Sequence, residues 1–302
     1  MKKIITILLL LWPTLSLASS LTDIEDSPYE LAVKFFEYRG VIEGYDDNTY
    51  KPDNTINRAE FLKVLVESRF PGAAGEENNC FSDVGNEWFA KYICYAEESG
   101  IISGYPDGSF KPEQKINLAE ALKIVLETYD VQIDSEAGEN WYDPYYLLSL
   151  EKNWLEDIDE SITHDVTRGE MAKLAFTTTM VKENDNKLLV AEALASCTEY
   201  EDTFIHLLTG EDMTREITSI EDNLCHYYEE MPNGGEMNCQ YTEEARESVA
   251  QYYIDLAEAD TQSFSISITL EGASSTYTID GIEVENPLQE ATDNGMCVVS
   301  GY

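Results

Sequence analysis

Residues 104–112 read Gly-Tyr-Pro-Asp-Gly-Ser-Phe-Lys-Pro, and they are followed by Ile-Asn-Leu-Ala-Glu at 116–120 and by an apolar run at 121–126. Sixty residues earlier the chain reads Gly-Tyr-Asp-Asp-Asn-Thr-Tyr-Lys-Pro at 44–52, then Ile-Asn-Arg-Ala-Glu at 56–60. A fixed-period repeat indicates stacked copies of one small unit that cannot bury a core alone. The sequence therefore predicts an N-terminal repeat array rather than an enzyme core.

Each copy contains two predicted helices. The first helix ends at Gly40 or Gly100, because glycine commonly follows a helix terminus. Its predicted apolar face carries Leu31, Phe35 and Tyr38 in copy one, and Trp88, Tyr92 and Tyr95 in copy two. The second helix begins at a capping box, in which a cap residue precedes a glutamate by three positions. These pairs are Asn57 and Glu60, Asn117 and Glu120, and Thr167 and Glu170.

A third copy is degenerate. It opens with Trp-Tyr-Asp at 141–143, and its second helix begins with Thr-Arg-Gly-Glu at 167–170. The glycine turn is missing, and Asn-Trp-Leu at 153–155 and Asp-Ile-Asp at 157–159 stand in its place. Three such helix–loop–helix units packed together can bury a common core.

These motifs resemble the S-layer homology (SLH) module. The resemblance rests on Phe-Ser-Asp-Val at 81–84, Trp-Phe-Ala at 88–90, the stretch 100–112 and Ile-Asn-Arg-Ala-Glu at 56–60. It extends over roughly residues 20–182 and divides them into copy one (20–70), copy two (80–133) and copy three (139–182). The resemblance implies a mainly α, pseudo-threefold bundle that binds a secondary cell-wall polysaccharide, often pyruvylated, in grooves between copies.

Two arginines are the candidate ligand-binding residues. A pyruvyl ketal presents a carboxylate, which a guanidinium fork, backbone N–H groups and an aromatic wall can recognise. Arg58 and Arg168 each follow a helix N-cap, where the helix dipole already favours an anion. The alternative is that each pairs with one of the chain's many acids. Copy two has Leu118 at this position, so at most two anion sites are expected, and the missing glycine turn of copy three weakens the case for Arg168.

Four further residues are candidates for the carbohydrate site. Trp88 and Trp141 are predicted to line a groove, although a core position explains them equally well. Gly44 and Gly104 provide turn geometry; alternatively, they allow a ligand to approach the backbone.

The N-terminus and the charge indicate the compartment and exclude some partners. Lys2 and Lys3, the apolar run 4–12 and Ser-Leu-Ala at 16–18 predict a signal peptide at 1–18 and a secreted, cell-surface protein. The run is shorter than the roughly 20 residues that span a bilayer, so no transmembrane span is expected in the mature chain. The 59 acidic and 19 basic side chains argue against nucleic acid. They are compatible with loose Ca²⁺ binding, without an EF-hand, and no other cofactor is expected.

An exported chain with six cysteines favours disulfides over a metal site. Cys80 and Cys94 lie close together in copy two and are expected to pair. The other four allow three pairings: Cys197, Cys225, Cys239 and Cys297.

After a polar linker at 183–187, residues 188–302 are predicted to form a small, disulfide-containing α+β domain of unknown role. Its predicted elements are a helix at 188–195, a hairpin at 225–239, a helix at 243–259 capped by Thr242, a strand at 263–270 and a hairpin around Asp280 and Gly281. No catalytic motif is present, so we expect no enzyme. The expected function is non-covalent anchoring to wall polysaccharide. Two alternatives remain: a structural surface-layer protein that assembles with itself or with other surface-layer proteins and whose repeats no longer bind sugar, and a tethered enzyme.

Overall fold

The computed structural model describes residues 21–75, 79–206, 211–221, 224–258, 265–269, 274–279 and 282–301. The predicted signal peptide and the Asp280–Gly281 turn lie outside them. The described chain has a helical N-terminal part and an α+β C-terminal part. The N-terminal helices are α1 (Glu30–Tyr38), α2 (Arg58–Arg69), α3 (Ala90–Glu98), α4 (Leu118–Thr128), α5 (Asp143–Glu151) and α6 (Arg168–Ser196). None of the helices within these ranges has the length and apolar character needed to cross a membrane.

All three predicted capping boxes are confirmed. At α2, α4 and α6 the cap side chain accepts from the backbone N–H of the glutamate three residues on, and that glutamate accepts from the backbone N–H of the cap. Each cap satisfies two N–H groups that the first helical turn leaves without partners. The caps therefore fix where the second helix of each copy begins.

A closed ring of backbone hydrogen bonds joins the three copies at their centre. The N–H of Ile56 donates to the carbonyl of Val166 (3.0 Å), that of Val166 to Ile116 (2.9 Å), and that of Ile116 to Ile56 (3.3 Å). The three side chains are at most 1% exposed. Each copy thus contacts both others through the residues just before its second helix.

The start of each second helix rests on the loop of another copy. The backbone N–H of Arg58 donates to Gln114 in copy two, and that of Leu118 donates to His164 in copy three. The N–H of Arg168 donates to Asn54, which returns the arrangement to copy one. Each residue at the helix start therefore faces a loop that is not its own.

The buried face of the first helices differs from the prediction. Leu31, Tyr38 and Trp88 are exposed, whereas Phe35 and Tyr92 are buried as expected. Helix α1 instead buries Ala32, Val33, Phe35 and Phe36. The stripe that α1 buries is therefore rotated relative to the predicted one, and Phe35 belongs to both.

Helix α6 runs through the predicted linker. Residues 183–187 lie in the middle of α6, which continues to Ser196. The polar side chains form contacts within the structure. Glu183 is buried and accepts from the N–H of Ile205 at 3.3 Å, and the ammonium of Lys187 donates to Asn184 at 2.9 Å. One continuous helix therefore connects copy three to the C-terminal part.

The C-terminal part contains two antiparallel sheets. The first has the order β1-β2-β3-β4-β8 and the second β5-β6-β7. Predicted hairpin 225–239 corresponds to β3 and β4, and Thr242 accepts from Ala245 at the start of α7, as expected. The bounds are β1 (Tyr200–Ile205), β2 (Asp212–Glu221), β3 (Leu224–Met231), β4 (Gly235–Tyr241), α7 (Glu243–Glu258), β5 (Ser265–Thr269), β6 (Ser274–Ile279), β7 (Ile282–Glu285), α8 (Pro287–Asp293) and β8 (Cys297–Ser300).

Three disulfides connect these elements. Cys80 is bonded to Cys94 at helix α3. The four C-terminal cysteines, which left three pairings open, are joined as Cys197–Cys225 and Cys239–Cys297. The first ties the end of α6 to β3, and the second ties β8 to β4.

Candidate functional site

Arg58 lies in an aromatic cradle supplied by copy two. Its Nε donates to the carbonyl of Phe110 at 2.9 Å, and its side chain is 7% exposed. The guanidinium carbon lies 4.6 Å from the ring centre of Phe110 and 4.9 Å from that of Tyr105. The N-cap geometry of α2 places the arginine against this loop, and the two rings hold the guanidinium plane.

Glu120 neutralises Arg58. One carboxylate oxygen of Glu120 lies 3.3 Å from Nη1 of Arg58, and Glu120 also accepts from the backbone of Asn117 and from the hydroxyl of Tyr105. Burial, together with this bond to the carboxylate, raises the pKa of Tyr105. Arg58 therefore pairs with an acid of its own chain, as the alternative prediction has it.

A groove of about 360 Å³ opens beside this pair. Side chains of all three copies line it: Arg58 of copy one, Tyr105, Glu120 and Lys123 of copy two, and Trp141 of copy three. Trp141 is 57% exposed, so its indole face is accessible.

The two candidate glycines are required by packing. Gly104, which also lines the groove, has a φ of +65°, and a Cβ there would lie 2.3 Å from the ring of Phe81. A Cβ on Gly44 would lie 2.2 Å from Leu21. A side chain is therefore excluded at Gly104, whereas one at Gly44 would require the end of the Leu21 side chain to move.

Arg168 occupies an equivalent cradle supplied by copy one. Its Nε donates to the carbonyl of Tyr50 at 2.9 Å, and its guanidinium carbon lies 4.5 Å from the ring centre of Tyr50 and 5.1 Å from that of Tyr45. The hydroxyl of Tyr50 donates back to the carbonyl of Arg168 at 2.9 Å. Among the described residues no carboxylate forms an ion pair with Arg168. The missing glycine turn of copy three does not bear on this site, since Arg168 faces the loop of copy one, which retains Gly44.

The corresponding place between copies two and three has no arginine. Leu118 is fully buried there, and its backbone donates to His164. The hydroxyl of Tyr29 donates to the carbonyl of Asp157 at 3.2 Å, and a Cβ on Gly169 would lie 2.4 Å from the Tyr29 ring. His164 and Glu170 pair at 2.9 Å and Lys173 and Asp157 at 2.6 Å, so the charges here are matched internally.

The remaining candidate, Trp88, does not line the Arg58 groove. Its indole is 58% exposed and makes an edge contact with Phe89, with the ring centres 5.4 Å apart. Reasoning from sequence also missed Tyr105, Phe110 and Glu120 as partners of Arg58. The first two lie in the repeated glycine-turn motif, which was the available signal.

A second polar group, buried in the C-terminal part, was also missed. Two nitrogens of Arg215 lie 2.8 and 2.6 Å from the carboxylate oxygens of Asp202. Burial raises the pKa of Glu229, which accepts hydrogen bonds from the hydroxyls of Tyr227 and Tyr253. Helix α7 carries Tyr253 and β3 carries Glu229, so these bonds fasten the helix to the sheet.

Two arginine cradles, one of them beside a groove, lie between stacked copies and define a repeat protein with inter-copy sites. Comparison with known families names the repeat. Residues 20–62 and 81–122 match the S-layer homology domain, so copies one and two are repeats of the SLH type.

Three relatives show how widely this segment occurs. The chain is 36% identical over 105 residues to the "Middle cell wall protein" of Brevibacillus brevis, a match that covers 33% of the chain and 10% of that protein. It is 33% identical over 114 residues to the "Cellulosome-anchoring protein" of Acetivibrio thermocellus, a match that covers 35% of the chain and 26% of that protein. It is also 33% identical over 113 residues to "Exoglucanase XynX" of the same species, a match that covers 36% of the chain and 10% of that protein. The chain thus spans no more than about a quarter of these relatives.

Proposed function

We propose that this protein is held non-covalently at the cell surface by cell-wall polysaccharide, which binds in the Arg58 and Arg168 sites. The observation that carries the proposal is that one groove combines a buried guanidinium, a carboxylate and an exposed indole from three different copies. The relatives' names include cell-wall and anchoring proteins, and the predicted signal peptide supports export. The C-terminal α+β part would then be displayed outside the cell.

The chemistry of the groove fits a sugar that carries a carboxylate. An exposed indole such as that of Trp141 stacks on the apolar face of a sugar ring, while guanidinium groups bind carboxylates through paired hydrogen bonds. Phe110 and Tyr105 hold the guanidinium of Arg58 in place before a ligand arrives, which lowers the entropy cost of binding. A pyruvylated polymer supplies both a ring face and a carboxylate.

The two arginines differ in how strongly they attract an anion. Arg58 already has Glu120 as a counter-charge at 3.3 Å, so a ligand carboxylate must share the guanidinium with it. Arg168 has the same aromatic cradle without such a pair, and it lies at the N-terminus of the longest helix described. We therefore expect the Arg168 site to depend more strongly on the pyruvate group.

Cosedimentation of the full-length chain with purified wall polymer tests the proposal. Arg58→Met and Arg168→Met retain the aliphatic stem and remove the charge. Arg69→Met, at the far end of helix α2 from Arg58, is the control. We expect the double variant Arg58→Met with Arg168→Met to lose binding by at least about tenfold, since each lost charged hydrogen bond contributes about 1.5–3 kcal/mol.

Removing pyruvate from the polymer distinguishes the two sites. We expect depyruvylation to weaken wild type and Arg58→Met, and to have little further effect on Arg168→Met. Unchanged cosedimentation of the double variant would refute the proposed site. Sedimentation velocity with and without Ca²⁺ would then test assembly into a surface layer instead.

A further inference from the structure

A second cleft, of about 630 Å³, lies between copy one and the C-terminal sheet. Residues at the ends of α1 and α2 form one wall, and strands β2, β3 and β4 form the other. The cleft has no residue in common with the Arg58 groove or with the Arg168 cradle. It therefore requires its own explanation.

Arg39 supplies an unsatisfied donor in this cleft. Its side chain is 5% exposed; Nη2 donates to the carbonyl of Ser68 at 3.3 Å and lies 3.5 Å from the carboxylate of Asp212. Nη1 is buried and has no hydrogen-bond partner among the described residues. Buried donors nearly always have an acceptor, so a carbonyl oxygen that displaced the groups covering Nη1 would complete its hydrogen bonding.

The rim of the cleft is strongly acidic. Five carboxylates line it, of which Glu67 is paired with Lys63 and Asp212 with Arg39: Glu67, Glu211, Asp212, Glu230 and Glu236. Tyr228 lies among them on the exposed face of the sheet. Its phenol pKa is raised by desolvation and by the neighbouring charges of Glu236, Glu230 and Glu216. A cationic group entering the cleft would relieve this accumulation of like charge.

The cleft also offers apolar contacts, from Val41, Pro71, Met213 and Met231. Methionine side chains are flexible and polarisable, and they adapt to apolar groups of different shape. An acidic rim around methionines, with one N–H donor, matches an extended peptide better than it matches a sugar.

We propose that this cleft binds a basic peptide segment of a partner protein, with lysine or arginine side chains paired to the acidic rim and a backbone carbonyl accepting from Arg39. The partner is recognised by alternating basic and apolar residues. This inference does not depend on polysaccharide binding, because neither site contains a residue of the other.

Fluorescence anisotropy with the full-length chain tests the proposal. The probe is a labelled ten-residue peptide in which Lys and Leu alternate, and the comparison peptide has Glu in place of Lys. The cleft variant is Glu230→Gln with Glu236→Gln. The matched control removes two exposed carboxylates of α7, Glu244→Gln with Glu247→Gln, so that both variants change the net charge equally.

We expect the Lys peptide to bind and the Glu peptide not to bind. The cleft variant should weaken binding about fivefold, and the control less than twofold. If the double variant loses its native circular dichroism, Glu236→Gln alone replaces it, because that carboxylate is exposed. An equal loss in the cleft and control variants would show a general attraction to the acidic surface and would overturn the proposal.

Cross-linking shows separately where the Lys peptide binds on the protein. A benzophenone in place of one Leu of the Lys peptide reacts preferentially with methionine, so we expect adducts at Met213 or Met231. Adducts found only elsewhere would overturn the proposal. Cosedimentation of the cleft variant with wall polymer should equal that of wild type, which keeps this result distinct from the test of the polysaccharide sites.

Discussion

Replacing Glu183 by glutamine should make the protein more stable, and more so at alkaline than at acidic pH. Glu183 lies in α6 where that helix meets strand β1, and it is 7% exposed. Burial raises its pKa to about 7, from 4.5 for a solvated glutamate. The N–H of Ile205 and the charges of Arg215 and Lys187 lower the pKa, and Asp202 raises it, but desolvation is the largest effect.

The sign follows from proton linkage. Between pH 4.5 and 7 the folded protein holds a proton at Glu183 that the unfolded chain has released, so stability from this group decreases as the pH rises. With those two pKa values the ionised carboxyl destabilises the folded state by about 3 kcal/mol at pH 8 and by about 1 kcal/mol at pH 5. Glutamine has the same shape, keeps an oxygen that accepts from Ile205, and does not ionise.

Urea titrations of wild type and Glu183→Gln at pH 5 and pH 8 measure this difference. Subtracting one chain from the other removes the contribution of the titrating groups that do not interact with Glu183. Glu192→Gln, on an exposed position of the same helix, is the control and should show no pH-dependent gain. A gain in the free energy of unfolding that is equal at both pH values, or larger at pH 5, would contradict a raised pKa of Glu183.

Three further substitutions test the packing of the copies. Gly169→Ala places a Cβ 2.4 Å from the Tyr29 ring and should lower the free energy of unfolding by about 1–3 kcal/mol in urea; an unchanged midpoint would contradict that contact. Cys80→Ser with Cys94→Ser opens a loop of sequence separation 14 and should cost about 3 kcal/mol, measured by urea unfolding without reductant; no change would mean that the bond leaves the unfolded chain unconstrained. Asn117→Ala should cost about 1 kcal/mol through the lost cap, whereas Asn117→Gly should cost only a few tenths; equal losses would argue against the cap.

Local features of the copies could be predicted from the sequence because they depend on neighbouring residues. The capping boxes at Asn57, Asn117 and Thr167 involve residues three positions apart, and their hydrogen bonds need no contact outside the first helical turn. The hairpin of β3 and β4 is local for the same reason.

The sites depend on contacts between distant residues, and these contacts explain what the sequence could not show. Arg58 meets Phe110 and Glu120 only because the ring of backbone hydrogen bonds places the start of α2 on the loop of copy two. The capping box accounts for Glu120 from the sequence, yet the same carboxylate oxygen that accepts from the N–H of Asn117 also lies 3.3 Å from Nη1 of Arg58. The polar residues 183–187 predict a solvated linker, but the segment belongs to α6 and Glu183 is buried against β1.

The positions at which the copies depart from one another bear on the choice between binding and purely structural repeats. Leu118 faces the loop of copy three, which is the loop that lacks the glycine turn. Tyr29 reaches the same loop through Asp157. The described side-chain contacts of Arg58 and Arg168 are all with copies one and two, so neither arginine depends on that loop.

The sequence differences between the copies, Leu118 and the missing glycine turn, therefore lie together at one of the three inter-copy positions. In a purely structural role both cradles would serve only to pack one copy on another, and replacing either guanidinium would leave polymer binding unchanged. At the position of Leu118 the charges are matched internally, by His164 with Glu170 and by Lys173 with Asp157. A protein with two anion sites needs no third arginine there. On the proposed function, Arg58 and Arg168 bind the polysaccharide, and the double arginine variant is the experiment that separates this role from assembly alone.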